Sequence, residues 1–477
     1  MSTNDASVIE DERYDCLEAA GRIESPGLYG YEEFEIELPA GVREVRARLC
    51  YEGDKLYVSL FGPQGYRGTV MDPDATGEVT LEAVCAADYA SPGIIAGHLE
   101  AGRWRVLIDH GPDLKASDYR LQMSYLAARE TIAPVSPGET AVPASHELHD
   151  TAGWYRGELH LHSSESDGTA SPAEVARAVE GIGLDFASLT DHYTVSGWHH
   201  MRRALTGRTL LIRGCEVTSR RGHANVHGIS EPIDPHADRV GWTLRDVAAA
   251  AHAQGGLFCV NHPFSGLLGW RAQEVPWDEI DAMEIIHALE GPGNNLQLGL
   301  WDHHLRLGHR IVGIAGTDSH HPELGAHSLG RLTNWVYAAS LTERGLIDGI
   351  RAGRVLATYG PFVEFTAGPS NRRYGLWEQV PATQAAHGLH LEVRVRHHEA
   401  VRVFVLKDGL PFSHAWVSPE ANGEAIYTAH DRPSTGCYYR VEIHSAFPDQ
   451  HGASWKVDGW RDYRSLLAAT NPIFVKT

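Results

Sequence analysis

The sequence predicts an α/β protein whose middle region alternates strands with helices, flanked on both sides by all-β segments. Three observations carry this. Apolar/polar alternation dominates up to about residue 130. Strand-then-helix patterns repeat from about Gly153 to Thr358, and alternating strands return after Pro361. With 477 residues the chain has room for about three domains. Its 43% hydrophobic and 22% charged residues exclude a predominantly disordered state.

The N-terminal region, 1–130, carries alternation in Phe34-Glu-Ile-Glu-Leu, Val45-Arg-Ala-Arg-Leu and Leu56-Tyr-Val-Ser-Leu-Phe, and again in Trp104-Arg-Val-Leu-Ile and Tyr119-Arg-Leu-Gln-Met. Turn residues such as Gly62-Pro-Gln-Gly and Asp72-Pro-Asp punctuate these runs. Short strands at this spacing predict an antiparallel β-sandwich. Residues 131–150 read as a linker, because three prolines fall within the eleven residues from Ala133 to Pro143.

The central region, 151–365, opens with the strand Glu158-Leu-His-Leu-His. Ser171-Pro-Ala-Glu follows with an N-cap serine, a proline at the first helical position and a glutamate three on, which is a capping box. Val175, Ala178, Val179 and Ile182 continue at helical spacing. Further strands begin at Asp185, Leu210, Ala224, Leu257, Ala282 and Ile311, with helical patterns between most of them. Repeated βα units predict a parallel sheet, open or closed to a barrel. Residues 366–477 return to strands at Leu389-His-Leu-Glu-Val, Val401-Arg-Val-Phe-Val and Tyr438-Tyr-Arg-Val-Glu, a small C-terminal β domain.

Composition narrows the function. Lysine and arginine total 41 against 62 aspartates and glutamates, a formal charge of −21. That excludes an extended nucleic-acid or anionic-membrane surface and favours a small-molecule substrate. Six cysteines without a CxxC pair exclude a disulfide scaffold or zinc ribbon and suit a reducing cytoplasm. The acidic N-terminal segment has no apolar core, so no signal peptide is expected, and no apolar run has the length of a membrane span. Histidines number 29, and 17 of them fall in the 168 residues from His160 to His327.

Several of those histidines sit at strand ends. His160 and His162 are two apart on one strand and share a face. Asp167 follows in a loop, and His192, Glu216, His262 and His287 end later strands. His223 and His227 share one parity with Asn225, and Asp318 and His320 end the last strand. In a βα fold these ends converge on one face. Asp167, Glu216 and Asp318 gathered there would repel one another, and a cluster of divalent cations removes the conflict. Mixed imidazole and carboxylate ligands suit Zn²⁺, Mn²⁺ or Fe²⁺.

Taken singly, each of these residues has an ordinary structural reading. His199-His200, His303-His304 and His397-His398 lack strand-end placement and read as solvated or as neighbours behind the ligands. Trp198, Trp270 and Trp301 read as core, and Cys215, opposite in parity to Glu216, as a packing residue.

The ordered set His160-x-His162, Ser166-Asp-Gly, Leu189-Thr-Asp-His192, Gly214-Cys-Glu216, Asn261-His-Pro and Gly316-Thr-Asp318-Ser-His320 resembles the motifs of the PHP (polymerase and histidinol phosphatase) superfamily over about Gly153 to Thr358. The flanking β segments, Gly222-His-Ala-Asn and the late Asn471-Pro-Ile-Phe, are similar to its carbaryl hydrolase (CehA/McbA) branch. The resemblance implies a distorted (βα)7 barrel flanked by an N-terminal β-sandwich and a small C-terminal β domain. It implies two or three divalent metal ions, Zn, Mn or Fe. His160, His162, Glu216 and Asp318 would hold the first. Glu216 would bridge to a second held by His223 and His262, and Asp167, His192 and His320 would hold a third. Either His223 or His227 could be the fourth-strand ligand. The glycine before His223 favours it and leaves His227 either behind the ligands or facing substrate.

The activity implied is hydrolysis by a metal-bridging hydroxide near neutral pH. Asp318 is the candidate proton shuttle, and His192, His287 or His227 the candidate acid for the leaving group. Arg213, Arg331 and Tyr193 are candidates to orient an anionic substrate. The substrate expected is a small phosphomonoester or phosphodiester, with a carbamate, carboxyl ester or amide as the alternative. A non-catalytic ligand-binding module is the second alternative; it predicts a lost ligand, and none of the motif positions is lost.

Overall fold

A computed structural model of the protein describes residues 11–23, 31–52, 55–72, 76–110, 116–128, 148–237, 241–288, 293–322, 329–445 and 466–476. The expected linker up to residue 147 and the N-terminal segment up to residue 10 lie outside them.

Eight strands open the chain: β1 (Asp11–Ile23), β2 (Glu32–Leu38), β3 (Val42–Glu52), β4 (Leu56–Gly62), β5 (Gly65–Val70), β6 (Glu78–Ala86), β7 (Gly102–His110) and β8 (Ser117–Ala128). They form two four-stranded antiparallel sheets, β1-β8-β3-β6 and β2-β7-β4-β5. The sequence alternation explains the layering. Val45, Ala47, Leu49, Leu56, Val58, Leu60, Trp104, Val106 and Ile108 point into one shared core. Each buried aliphatic side chain there contributes roughly 1.5–3 kcal/mol.

The central region contains β9 (Gly153–Leu161), α1 (Pro172–Gly181), β10 (Phe186–Leu189), α2 (Gly197–Ala204), β11 (Leu210–Ser219), β12 (Gly222–His227), α3 (Leu244–Ala253), β13 (Leu257–Val260), β14 (Ala282–His287), α4 (Asn294–Leu307), β15 (Val312–Gly316), β16 (Thr333–Ala338), α5 (Glu343–Arg351) and β17 (Val355–Thr358). The capping box forms as its sequence requires: Ser171 accepts from the Glu174 N–H, and Glu174 accepts from the Ser171 N–H at 2.8 Å. Such a cap stabilises a helix by about 1 kcal/mol.

Strands β9 to β15 lie side by side in chain order. The first and last meet at a parallel bridge between Leu161 and Ser319, where the His162 N–H reaches the Ser319 carbonyl at 3.0 Å. Within this run a strict βα repeat does not hold. β12 runs antiparallel to both β11 and β13, and no helix separates β11 from β12. The two-residue connection Arg220-Arg221 is the physical reason, since a parallel crossover needs a dozen residues or more.

Leu159, Phe186, Leu210, Ile212, Leu257, Cys259 and Ile314 pack together in one cluster between these strands. Helices α1, α3 and α4 cover the sheet through Val175, Val179, Val247, Ala251, Leu298 and Trp301. Trp198 and Trp301 are core residues whose indole N–H groups cap the Gly214 and Ile311 carbonyls, at 2.7 and 2.8 Å. Trp270 is half-buried against the same core, and Cys215 packs within it. All six cysteines are unpaired.

The C-terminal region holds β18 (Phe362–Gly368), β19 (Gln379–Val380), α6 (Ala382–Ala385), β20 (Leu389–Arg396), β21 (Val401–Lys407), β22 (Leu410–Val417), β23 (Glu424–Asp431), β24 (Cys437–Ser445), β25 (Leu466–Thr470) and β26 (Ile473–Val475). The central sheet continues into it without a break: β9 pairs β16, β16 pairs β17, β17 pairs β25, and β25 pairs β24. Strands β18, β20 and β23 form a separate three-stranded sheet. Asn471, between β25 and β26, is tied to β15 by two 2.8 Å hydrogen bonds exchanged with the Gly313 backbone. Among the described residues no helix is long and apolar enough to cross a membrane.

Candidate metal centre

Glu216, near the carboxyl end of β11, is the hub. Its Oε1 lies 3.1 Å from His223 Nδ1, 3.5 Å from His262 Nε2 and 2.8 Å from the donating Asn261 Nδ2. Its Oε2 lies 3.3 Å from both His160 Nε2 and His162 Nε2 and 3.0 Å from His192 Nδ1. Asp318 faces the same space, with Oδ1 2.9 Å from His162 Nε2 and 3.3 Å from His160 Nε2. On the outer side Asp167 meets His320 Nε2 at 3.2 Å and His192 Nε2 at 3.4 Å.

The topology explains who arrives. β9, β10, β11, β13, β14 and β15 present their carboxyl ends here. The antiparallel β12 presents its amino end, so His223 near its start reaches Glu216. His227, at its far end, instead shares a 2.8 Å hydrogen bond with Ser188. Of the two sequence candidates, the structure brings His223 to the cluster and leaves His227 beneath it.

Electrostatics show what the cluster lacks. His160 Nε2, both His162 nitrogens, Glu216 Oε2, His223 Nε2, His262 Nδ1 and Asp318 Oδ1 are buried and make no hydrogen bond. Leaving such groups unsatisfied costs about 1–3 kcal/mol each, more when charged. Burial alone would lower the pKa of His160, but the carboxylates of Asp318, Glu216 and Glu284 raise it well above its ordinary value. Burial alone would raise Glu216, and the surrounding imidazoles of His192, His160 and His223 hold it well below the carboxylate range. Asp318 is held low in the same way. Burial, with His320 and His192 adding to it, pushes His162 down to about 4.

Ligand-type atoms gather in sets spanning no more than 4.8 Å: His160, His162, Glu216 and Asp318; His162, Asp167, His192 and His320; and His192, Glu216 and His223. Hard carboxylate oxygens and imidazole nitrogens converging, with seven buried atoms left without a hydrogen bond, fit divalent cations. The backbone also bends to build the site. Tyr193, His262 and Asp318 adopt φ of 58°, 23° and 53°. Such left-handed positions cost of order 1–3 kcal/mol each for side-chain-bearing residues and collect at functional sites.

Three sequence candidates fall elsewhere. Arg213 is buried against α5, with its Nη2 2.7 Å from Glu343 Oε2 and its Nε within 3.2 Å of both carboxylate oxygens. It lies three residues before Glu216, so strand alternation turns it to the opposite face. Arg331 is exposed ahead of β16, with its charge near Tyr359. The Tyr193 hydroxyl donates to the Thr218 carbonyl, so it is already engaged. His287, by contrast, does face the cluster, fully buried with Nε2 3.7 Å from Asp318 Oδ2.

Sequence reasoning missed Glu284. A bulge between Glu284 and Ile286 breaks strand alternation, so Glu284 and His287 reach the same side despite odd spacing. Its one visible signal was a carboxylate in the otherwise apolar run Ala282-Met-Glu-Ile-Ile. Asp191 was missed as well. It accepts from the Ser163 N–H and from the Ser163 and Ser166 hydroxyls, folding the loop that carries Asp167.

No family model matches the chain, and no curated protein matches it. Among solved structures it is similar to a two-domain protein from Bacteroides vulgatus, described as containing a predicted PHP-like metal-dependent phosphoesterase. The identity is 16% and the TM-score 0.40, over 63% of this chain and 93% of that one. It is similar to PsfC from Pseudomonas syringae at 14% identity and a TM-score of 0.32, covering 41% and 88% of the two chains. An amidohydrolase from Chromobacterium violaceum follows at 17% identity and a TM-score of 0.27, covering 35% and 88%.

Proposed function

We propose that the protein is a metal-dependent hydrolase of PHP type acting on a small-molecule phosphoester. The observation that carries this reading is the double-sided role of Glu216, whose two oxygens face five imidazoles while Oε2 makes no hydrogen bond. His160, His162, Glu216 and Asp318 would hold one cation, Glu216 with His223 and His262 a second, and Asp167, His192 and His320 a third. Bound there, divalent cations supply Lewis-acid polarisation of the substrate and acidify a water.

The protein's own groups do the rest. Asp318 would take the proton of the attacking water. His287, whose Nε2 is 3.7 Å from Asp318 Oδ2, would carry a proton to the leaving group. His192 is occupied by Asp167, Glu216 and Thr218. Burial pushes His287 down to about 4, so it stays neutral and would relay only the proton it takes from Asp318. Three dications outweigh the three ligand carboxylates, and the resulting positive field favours an anionic substrate.

One observation favours a carbamate, ester or amide as the second reading. Among the described residues, the arginines expected to clamp a phosphate lie away from the centre. The test is metal content combined with turnover of p-nitrophenyl phosphate, bis-p-nitrophenyl phosphate and a p-nitrophenyl carbamate, with His160→Ala alongside. Two or three cations and phosphoester turnover lost in the variant support the first reading. Carbamate turnover alone supports the second. Less than one cation per chain and no turnover sink both.

A further inference from the structure

The carboxylate of Glu165 is a junction between three segments. It stands two residues before Asp167, and its Oε2 accepts the Gly93 N–H of the N-terminal sandwich at 2.9 Å. The same oxygen accepts the Ser196 hydroxyl at 2.6 Å, in the segment that follows His192. The Gly93 carbonyl in turn accepts the Thr194 hydroxyl at 2.7 Å and the Thr69 N–H of β5 at 3.1 Å. Gly93 sits at φ 84°, and a Cβ there would run into the Thr69 carbonyl oxygen, so only glycine allows this close approach.

The sandwich grips the His192 side a second time. The Tyr66 hydroxyl donates to the Tyr193 carbonyl. Ser59 bonds His236 at 2.9 Å, and the His236 ring stacks on Tyr193 with centroids 5.4 Å apart. The ligands of the inner set are held differently: His160, Glu216 and Asp318 sit on or beside the central strands themselves.

We propose that the N-terminal β-sandwich is part of the metal centre: through Glu165 it holds the Asp167 loop and the His192 segment at the separation where their side chains meet. Glu165 is thus a positioning residue for the outermost cation, an inference that rests on the metallohydrolase reading. Outer residues that orient ligands typically change metal affinity about 10- to 100-fold when removed.

The test uses the full chain, loaded with Zn²⁺ or Mn²⁺ and challenged with increasing chelator, with bound metal counted at each step. Glu165→Ala is expected to release one cation at about 10- to 100-fold lower chelator than wild type and to retain the others. Glu165→Gln is expected to match wild type, because an amide oxygen still accepts both hydrogen bonds. Ser196→Ala, which removes one of the two bonds and no charge, gives a smaller loss in the same direction and decides the matter if Glu165→Ala does not fold. Wild-type retention in Glu165→Ala, or in Ser196→Ala where it must decide, overturns the inference while leaving the metallohydrolase reading intact. Equal losses in Glu165→Ala and Glu165→Gln also overturn it, since they point to charge and not to the junction. A wild-type chain that binds no cation removes both.

Discussion

His160 turns its Nδ1 to Glu284 Oε1, 2.7 Å away, and so presents its Nε2 to Glu216 and Asp318, each 3.3 Å away. The carboxylate fixes which nitrogen faces the cluster before any ion arrives. Glu284 is itself fixed, because its other oxygen accepts the His262 N–H at 2.7 Å. One buried carboxylate therefore orients a ligand on β9 and the backbone of another after β13.

Replacing Glu284 should weaken cation binding without removing a ligand. Glu284→Ala is expected to lower the affinity of the inner cation by about 10- to 100-fold. Chelator competition with metal counting checks this; an affinity within twofold of wild type would show that His160 needs no such support.

The direction of β12 separates two histidines of equal parity. His223→Ala is expected to lose one cation per chain, and His227→Ala none. Metal analysis of the two variants after identical loading decides it, and the reverse pattern would exchange their roles.

His227 also sets a pH dependence. Burial, reinforced by the charge of His160, pushes its pKa down to about 3. In the unfolded chain it returns to about 6.5. Below that pH the unfolded chain binds a proton that the folded chain refuses. Stability from this group is therefore fully present above about pH 6.5. It is lost as pH falls toward 3, by about 1.4 kcal/mol per pH unit. Urea unfolding at pH 7.5 and 5.5 should show a smaller acid loss in His227→Asn than in wild type; equal losses would place the titration elsewhere.

Arg213 should matter for stability and not for substrate. Arg213→Met leaves Glu343 as a buried uncompensated charge, and breaking such a pair costs about 3–5 kcal/mol. Denaturant midpoints should fall accordingly, while KM of the folded fraction stays at the wild-type value. A tenfold rise in KM with unchanged stability would restore Arg213 to the substrate.

Much of the centre was legible because strand position and parity are visible in a sequence. His160, His162, Glu216 and Asp318 all follow from them. Glu284 was hidden by a bulge that inverts parity. The partner of Arg213 lies 130 residues downstream, and nothing local marks it. The antiparallel turn of β12 had a readable cause in Arg220-Arg221, since two residues permit a hairpin and no crossover. The contact between Gly93 and Glu165 spans 72 residues and two kinds of architecture, which periodicity does not encode.

Asn471 gives the fold an order in time. The backbone of Gly313 receives its hydrogen-bonding partner from a residue synthesised 158 positions later. At about 5–20 residues per second, a ribosome takes roughly 8–30 seconds to cover that distance. Until then, β15 carries an incomplete edge beside the strands that assemble the cluster. A nascent chain therefore completes this edge only after β25 has been made, and a chain truncated before Asn471 would leave it open to chaperones and proteases.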